Sequence, residues 1–244
     1  MDRYYDVILL VSRPSWLCWE KTICMDIPDI KNLLKSEDPQ LRLRGLVALK
    51  DYDANVAVPL LIAQRQDEAF LVRSFVAMGL GRKRNESAYA ALLEMLPVET
   101  DQNVKAEIAN SLGLYGNRSV DCLVTLFHEN KNWLVRRSIL AIMPEMSCPE
   151  QLLEVALVAL KDTDETIAQA GISTLGMLAN TPQSEVALAA LLPVLNWQSW
   201  RSRMYLAYAL KAFDDAAATE ALTQLRQDEH HKVVAATLEN LLMP

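Results

Sequence analysis

Apolar residues along this chain recur at helical spacing, in blocks that repeat about every 31 residues. Within each block a second helix shows the clearest stripe: Leu43, Leu46, Val47 and Leu49 in one copy, Val104, Ile108 and Leu112 in another. That is the 3.6-residue period of a helix with one buried face. No run alternates with period two, so no strands are expected. Aligning the copies places Arg44, Arg73, Lys105, Arg136, Ala168, Arg203 and Val234 at one equivalent position, with gaps of 29, 32, 31, 32, 35 and 31 residues. Most follow an aliphatic residue (Leu43, Val72, Val104, Val135, Ile167, Val233). A fixed period in the low thirties marks stacked supersecondary units. The expected fold is an all-α, right-handed α-solenoid of about seven short helix pairs.

The seven units run roughly over 27–52, 56–84, 86–116, 119–146, 149–180, 184–213 and 216–243. Each reads as a first helix (A), a polar turn and a second helix (B). The turns centre on 36–39, Asp67, Glu99 with Asp101, Asn130, Asp162, Asn196 and Asp228. In five units an acid or amide stands six residues before the aligned position, as Asp67 does before Arg73. Unit one follows suit with Asp38 before Arg44. Such a residue is placed to cap helix B through its free N–H groups. The basic residue, one to two turns into helix B, is placed to reach the turn of an adjacent unit. The expectation is a ladder of ion pairs along one edge, each worth about 0.2–1 kcal/mol if exposed. The seven glycines all fall in or just after a helix B; some should be left-handed C-caps and others close-approach points. Pro149 and Pro182 mark unit boundaries, while Pro97, Pro144 and Pro193 should end or kink helices.

Residues 1–25 do not fit the repeat, which occupies 26–244. Met25 opens MDIPDIKNLL, with Asp26 placed as an N-cap and Pro28 in the first turn. One reading makes Met25 the initiator and 1–24 an upstream-start extension; the other makes 1–24 an N-terminal cap on the stack.

Charge and cysteine content narrow the function. The net charge is −7, unevenly spread: 15 Lys/Arg against 16 Asp/Glu in 1–120, and 9 against 15 in 121–244. Without a basic stripe in the linear sequence, nucleic acid is a poor partner, since it demands phosphate neutralisation. Cys18, Cys24, Cys122 and Cys148 have irregular spacing and no CxxC pair, so buried thiols are expected rather than a disulfide framework or metal site. The longest apolar run near the start, 7–11, is too short for a membrane span or signal peptide, and a cytoplasmic protein is the default. No catalytic constellation, phosphate-cradling loop or dinucleotide fingerprint is present. His230 and His231 are adjacent on a helix and make a poor chelating pair.

The copies DEAFLVRSFVAMGLG (67–81) and ETDQNVKAEIANSLGLYG (99–116) carry a family resemblance. Units of this length with D-x4-[VLI]-R-x3-A-x2-[LM]-G resemble HEAT-like repeats of the phycobilisome-lyase type, over nearly the whole of 27–243. The resemblance implies a cyanobacterial context. The family includes bilin lyase subunits, the phycobilisome-degradation protein NblB and small adaptors, one of them a partner of A-type iron–sulfur assembly proteins. It also resembles deoxyhypusine hydroxylase, whose His-Glu dipeptides bind two irons. Here only His128–Glu129 matches, and three histidines cannot supply four such pairs.

Unit six departs most from the pattern. Trp197, Trp200, Arg201, Arg203, Tyr205, Tyr208 and Phe213 crowd into NWQSWRSRMYLAYALKAF. Trp, Tyr and Arg dominate binding hot spots. Trp133, three residues before Arg136, occupies a similar place. Arg73, Lys105, Arg136, Arg137 and Arg203 are expected on a concave wall formed by the B helices, either facing a partner's carboxylates or a bilin's propionates, or paired with the turn acids. The basic run 82–84 reads as a solvated loop. The function expected is a non-catalytic adaptor without cofactor, binding a phycobiliprotein or an assembly factor. The alternatives are a phycobilin lyase or isomerase subunit, which needs a bilin and a second HEAT subunit, and a partner of an iron–sulfur carrier.

Overall fold

The computed structural model describes residues 25–239; the 1–24 segment and its two readings lie outside the described residues. Among those residues the chain is entirely helical, with no strand. Seven pairs succeed one another. They are α1 (Ile27–Leu34) with α2 (Pro39–Ala48), α3 (Ala54–Ala63) with α4 (Phe70–Lys83), and α5 (Glu86–Val98) with α6 (Gln102–Gly113). Next come α7 (Val120–Glu129) with α8 (Trp133–Ile142), and α9 (Pro149–Leu160) with α10 (Glu165–Gly176). The stack ends with α11 (Ser184–Leu191) and α12 (Trp200–Leu210), then α13 (Ala216–Leu225) and α14 (His231–Leu238). This is the α-solenoid expected, with seven units.

The even-numbered helices pack closely on one another from α2 to α14, whereas the odd-numbered helices touch their own kind sparsely. The closer row is the inside of a curved stack. Helices B therefore form the inner wall and helices A the outer one. The aliphatic residue before each aligned position fills the seam between units: Val72, Val104, Val135, Ile167 and Val233 are wholly buried. In unit six that slot holds Ser202, whose buried hydroxyl has no partner among the described residues.

Local chemistry sets the helix ends. Pro97 lies in the last turn of α5, and Pro144 and Pro193 fall in the short 3-10 turns Met143–Glu145 and Leu192–Asn196 that follow α8 and α11. Each proline lacks the N–H that would continue the helical ladder. The inner helices are capped by Asp38, Asp101, Asn132, Asp164, Ser199 and His230. In units three to five and seven the caps stand two residues after the positions expected from the sequence. The left-handed expectation for the glycines narrows to Gly116, at φ 69°; the other left-handed residue is Arg84, at φ 48°, which ends α4. The remaining glycines serve close approach. A Cβ on Gly176 would lie 2.8 Å from the Cα of Ala209, and one on Gly113 would lie 2.7 Å from Cδ1 of Ile142. Cys122 and Cys148 are free thiols, half-buried and buried; burial raises both thiol pKa values.

Candidate docking face

The ion-pair ladder exists, with its register shifted in unit one alone and in a more buried environment than expected. Four arginines on inner helices each reach the acid in the next unit's turn: Arg42 to Asp67, Arg73 to Glu99, Arg136 to Asp162 and Arg203 to Asp228. Sequence spacing within each pair is 25 or 26 residues. Unit one uses Arg42, not Arg44, which is exposed. Arg42, Arg73 and Arg203 are bidentate, with N–O distances of 2.6–3.0 Å. Each of the four also donates to carbonyls of its own turn; Arg203 Nη1 binds those of Trp197 and Gln198. The turn acid in addition accepts the N–H of the helix-capping residue, as Asp162 does from Asp164 and Asp228 from His230. In units two, three, five and seven the acid six residues before the aligned position is thus a clasp between units rather than a helix cap, whereas Asp38 in unit one caps α2 as expected.

These pairs are buried, not surface pairs. The Glu99 and Arg73 side chains are 4 and 16% exposed. Burial pushes the Glu99 carboxyl upward, but hydrogen bonds from Arg73 and from the Asp101 and Thr100 amides outweigh it and hold it below its ordinary value. The Arg203 hydrogen bond likewise holds Asp228 below the usual range, against desolvation. The same contacts raise the pKa values of Arg42, Arg73 and Arg203. Arg73, Arg136 and Arg203, expected among the partner-facing cations, therefore have their donors engaged within the chain. In the fourth unit's turn Asn130 stands in the acid's position and donates to Gln102 at 2.9 Å, and at the arginine's place in unit three is Lys105. It lines a 610 Å³ cleft at the turn edge together with Asp121, Cys122 and Glu129.

Other sequence-singled residues do reach the surface of the inner wall. Trp133 is 47% exposed and Tyr208 40%; Arg137 is exposed. Tyr205, Trp197 and Trp200 are half-buried and pack against the core. Trp200 lies flat on His230, with ring centroids 4.1 Å apart and planes 3° apart. The Arg201 guanidinium and the Lys232 ammonium sit 4.6 and 5.2 Å from its ring centre. Desolvation, with His231 and Lys232 nearby, lowers the His230 pKa. The Tyr208 hydroxyl donates to Glu239 at 2.9 Å. Phe70 and Leu71 at the start of α4, which sequence reasoning passed over, are 46 and 40% exposed.

The largest feature missed in the linear sequence is segregation of charge between the walls. The inner helices carry eleven Lys/Arg and two acids, Glu107 and Glu165. The outer helices carry nine acids and one basic residue, Lys31. Arg44, Arg137, Arg201 and Lys232 are exposed beyond the buried clasps. Glu107, half-buried on α6, is pushed up to about 7 by desolvation, with Asn110 and Arg82 opposing the shift.

Among the described residues no helix is long and apolar enough to cross a membrane, and no group of three or more His, Cys, Asp or Glu is placed to hold a metal ion.

Comparison with known proteins agrees with this architecture. Residues 58–143 match the HEAT repeats. The complex of CpcE and CpcF of phycocyanin lyase from Nostoc sp. PCC7120 aligns over 95% of this chain and 100% of that chain, at 18% identity and a TM-score of 0.54. Human deoxyhypusine hydroxylase aligns over 88% of this chain and 94% of its own, at 17% identity and a TM-score of 0.43. No curated protein matches. HEAT repeats are thus matched over residues 58–143, and the likeness to the lyase structure shows a shared α-solenoid fold.

Proposed function

We propose that the chain is a non-catalytic adaptor that holds a protein partner along its inner wall. One observation carries this reading. The exposed aromatic side chains Phe70, Trp133 and Tyr208 all belong to inner helices, and none to the outer ones. Aromatic side chains left in water along a single row of helices support an interaction surface there; the outer row exposes aliphatic ones, such as Val98 and Val186. Trp133, Tyr208 and the half-buried Trp197, Trp200 and Tyr205 are the anchors we assign, with Arg137 beside Trp133. The repeat type and the likeness to the CpcE–CpcF fold support a phycobilisome-associated or assembly-factor role in a cyanobacterium. The test is capture from source cells with wild-type and Trp133→Ala/Tyr208→Ala proteins immobilised side by side, each checked for unchanged helicity. A partner retained by the wild type and lost by the variant supports the reading; equal recovery refutes it.

A second reading, a lyase subunit handling a bilin, draws support from the same likeness. It predicts a change in the visible absorption of a bilin on mixing and transfer to an apo-phycobiliprotein when a second HEAT subunit is supplied. Absence of both removes it. Recovery of a small cysteine-rich carrier in the capture experiment would instead favour iron–sulfur assembly.

A further inference from the structure

The charge and shape of the inner wall point to a particular kind of occupant, given that the docking reading above is correct. We propose that units four to seven hold an acidic, amphipathic α-helical segment of the partner, about 20 residues long.

The argument starts from geometry. On α10 the places of Trp133 and Arg137 are taken by Glu165 and Gln169, the Gln169 amide donating to Glu165 at 3.0 Å; Ala170 and Ser173 are half-buried, and no cation stands on that helix. Trp133 and Arg137 stand on α8, and Arg201, Tyr205 and Tyr208 on α12. The result is a stretch of α10 without aromatic side chains, flanked by aromatics on α8 and α12. From α8 to α14 is three steps between packed helices, roughly 24–30 Å at 8–10 Å a step. A helix of about 20 residues spans 30 Å.

Electrostatics then choose the sign. Arg137, Arg201 and Lys232 are exposed along this path, while the exposed acid of α10, Glu165, accepts a hydrogen bond from Ser199. Carboxylates on one stripe of the incoming helix would meet these cations. Leucine-like side chains on the other would cover Trp133 and Tyr208. A nucleic acid fits less well: the free cations are few and interleaved with apolar side chains, and the outer helices present nine acids that repel a large polyanion.

The probe is a fluorescein-labelled synthetic 20-residue peptide with Glu and Leu at i, i+3 and i+4 spacing, followed by anisotropy on the full chain. Its comparators carry Lys for Glu, or Gln for Glu, and a 20-nucleotide single strand is run alongside. The Glu–Leu peptide should bind at least tenfold more tightly than either peptide comparator and the oligonucleotide. The Arg137→Glu/Arg201→Glu variant should lose tenfold or more, whereas the outer-wall control Glu185→Lys/Glu220→Lys should bind within twofold of wild type. Circular dichroism confirms that both variants remain folded. Equal binding of the Gln peptide overturns the acidic preference while leaving an apolar docking wall intact. Equal or tighter binding of the Lys peptide or the oligonucleotide, or indifference to the Arg137/Arg201 reversal, overturns the proposal outright.

Discussion

Replacing Arg73 with alanine separates a buried clasp from a surface ion pair. The Glu99 carboxylate accepts Arg73 Nε at 2.7 Å and Nη2 at 2.9 Å, plus the backbone amides of Thr100 and Asp101 at 2.9 Å each. Arg73 Nη1 closes its own turn through the carbonyls of Asp67 and Glu68, at 2.7 and 3.1 Å. Arg73→Ala leaves a carboxylate with a 4% exposed side chain holding only its two amide donors. Breaking a buried pair by removing one partner costs about 3–5 kcal/mol, because the charge left behind is neither hydrated nor neutralised. An exposed pair would cost about 0.2–1 kcal/mol. The exposed Arg44→Ala serves as the control and should shift stability by no more than about 0.5 kcal/mol. Arg73→Met/Glu99→Leu should recover much of the loss, since removing both charges also removes the desolvation penalty. A cycle through the two single variants should then show coupling of at least about 2 kcal/mol. Urea unfolding at pH 7, followed by far-ultraviolet circular dichroism, gives all four values. A loss below about 1 kcal/mol for Arg73→Ala, or one equal to that of Arg44→Ala, would refute the clasp.

Glu107 gives a pH signature of opposite sign to the clasp. Its folded pKa, about 7 against an ordinary 4.5, means that its own contribution to stability is full below pH 4.5 and declines as pH rises through 7, by about 3 kcal/mol. Glu107→Gln should melt higher than wild type at pH 8 and flatten that slope, and identical profiles would count against burial of the charge. Asp228 behaves conversely: its pKa is lowered, so its contribution is present above its ordinary 3.8 and is lost as pH falls through the folded value. In Asp228→Asn the acid limb below pH 4 should be shallower, and an unchanged limb would argue against the Arg203 bond as its source. Gly176→Ala should destabilise by about 1–3 kcal/mol as an overpacking change. Gly113→Ala should cost less, because it meets the flexible end of Ile142 rather than the Ala209 backbone; equal melting temperatures would contradict this.

Much of the architecture was legible because the repeat is strict. Turn residues and basic residues keep a six-residue offset, and every helix break has a visible cause such as Pro144 or Pro193. Register in unit one was misread because LRLRG offers two arginines two apart, each preceded by a leucine. The distance to the next acid decides between them: Arg42 lies 25 residues before Asp67, matching the other clasps. The caps were missed by two residues because each turn carries two polar side chains, such as Asp162 and Asp164, and only the geometry tells which bonds the helix and which the next unit. Charge segregation escaped a count by halves, since the alternation runs helix by helix. What the sequence could not show is which aromatics stay in water: Trp133 protrudes, while Trp200 is laid down on His230, a residue 30 positions away.

The clasp also explains its own exceptions. In the first turn Ser36 stands in the acid's place and accepts the N–H of Asp38. The last described inner helix has Val234 in the arginine's place. Between the ends, two rungs are missing, and in each both members have changed together. Lys105 and Asn130 occupy the matching positions in the third, and Ala168 and Trp197 in the fifth. A carboxylate without its arginine would be a buried orphan charge, so the two positions change as a pair. At both gaps the inner helix ends in a glycine, Gly113 or Gly176, on which Ile142 or Ala209 packs in close approach. The filled rungs from Arg42, Arg136 and Arg203 have Lys50, Pro144 and Lys211 at that place. Adjacent units are therefore held either by a clasp near the start of the inner helix or by glycine packing near its end. The second-to-third junction has both, Arg73–Glu99 and Gly81 against Ser111. Because the four arginines are committed to holding units together, a partner docked on the inner wall as proposed above would meet Trp133, Arg137, Arg201 and Tyr208 instead.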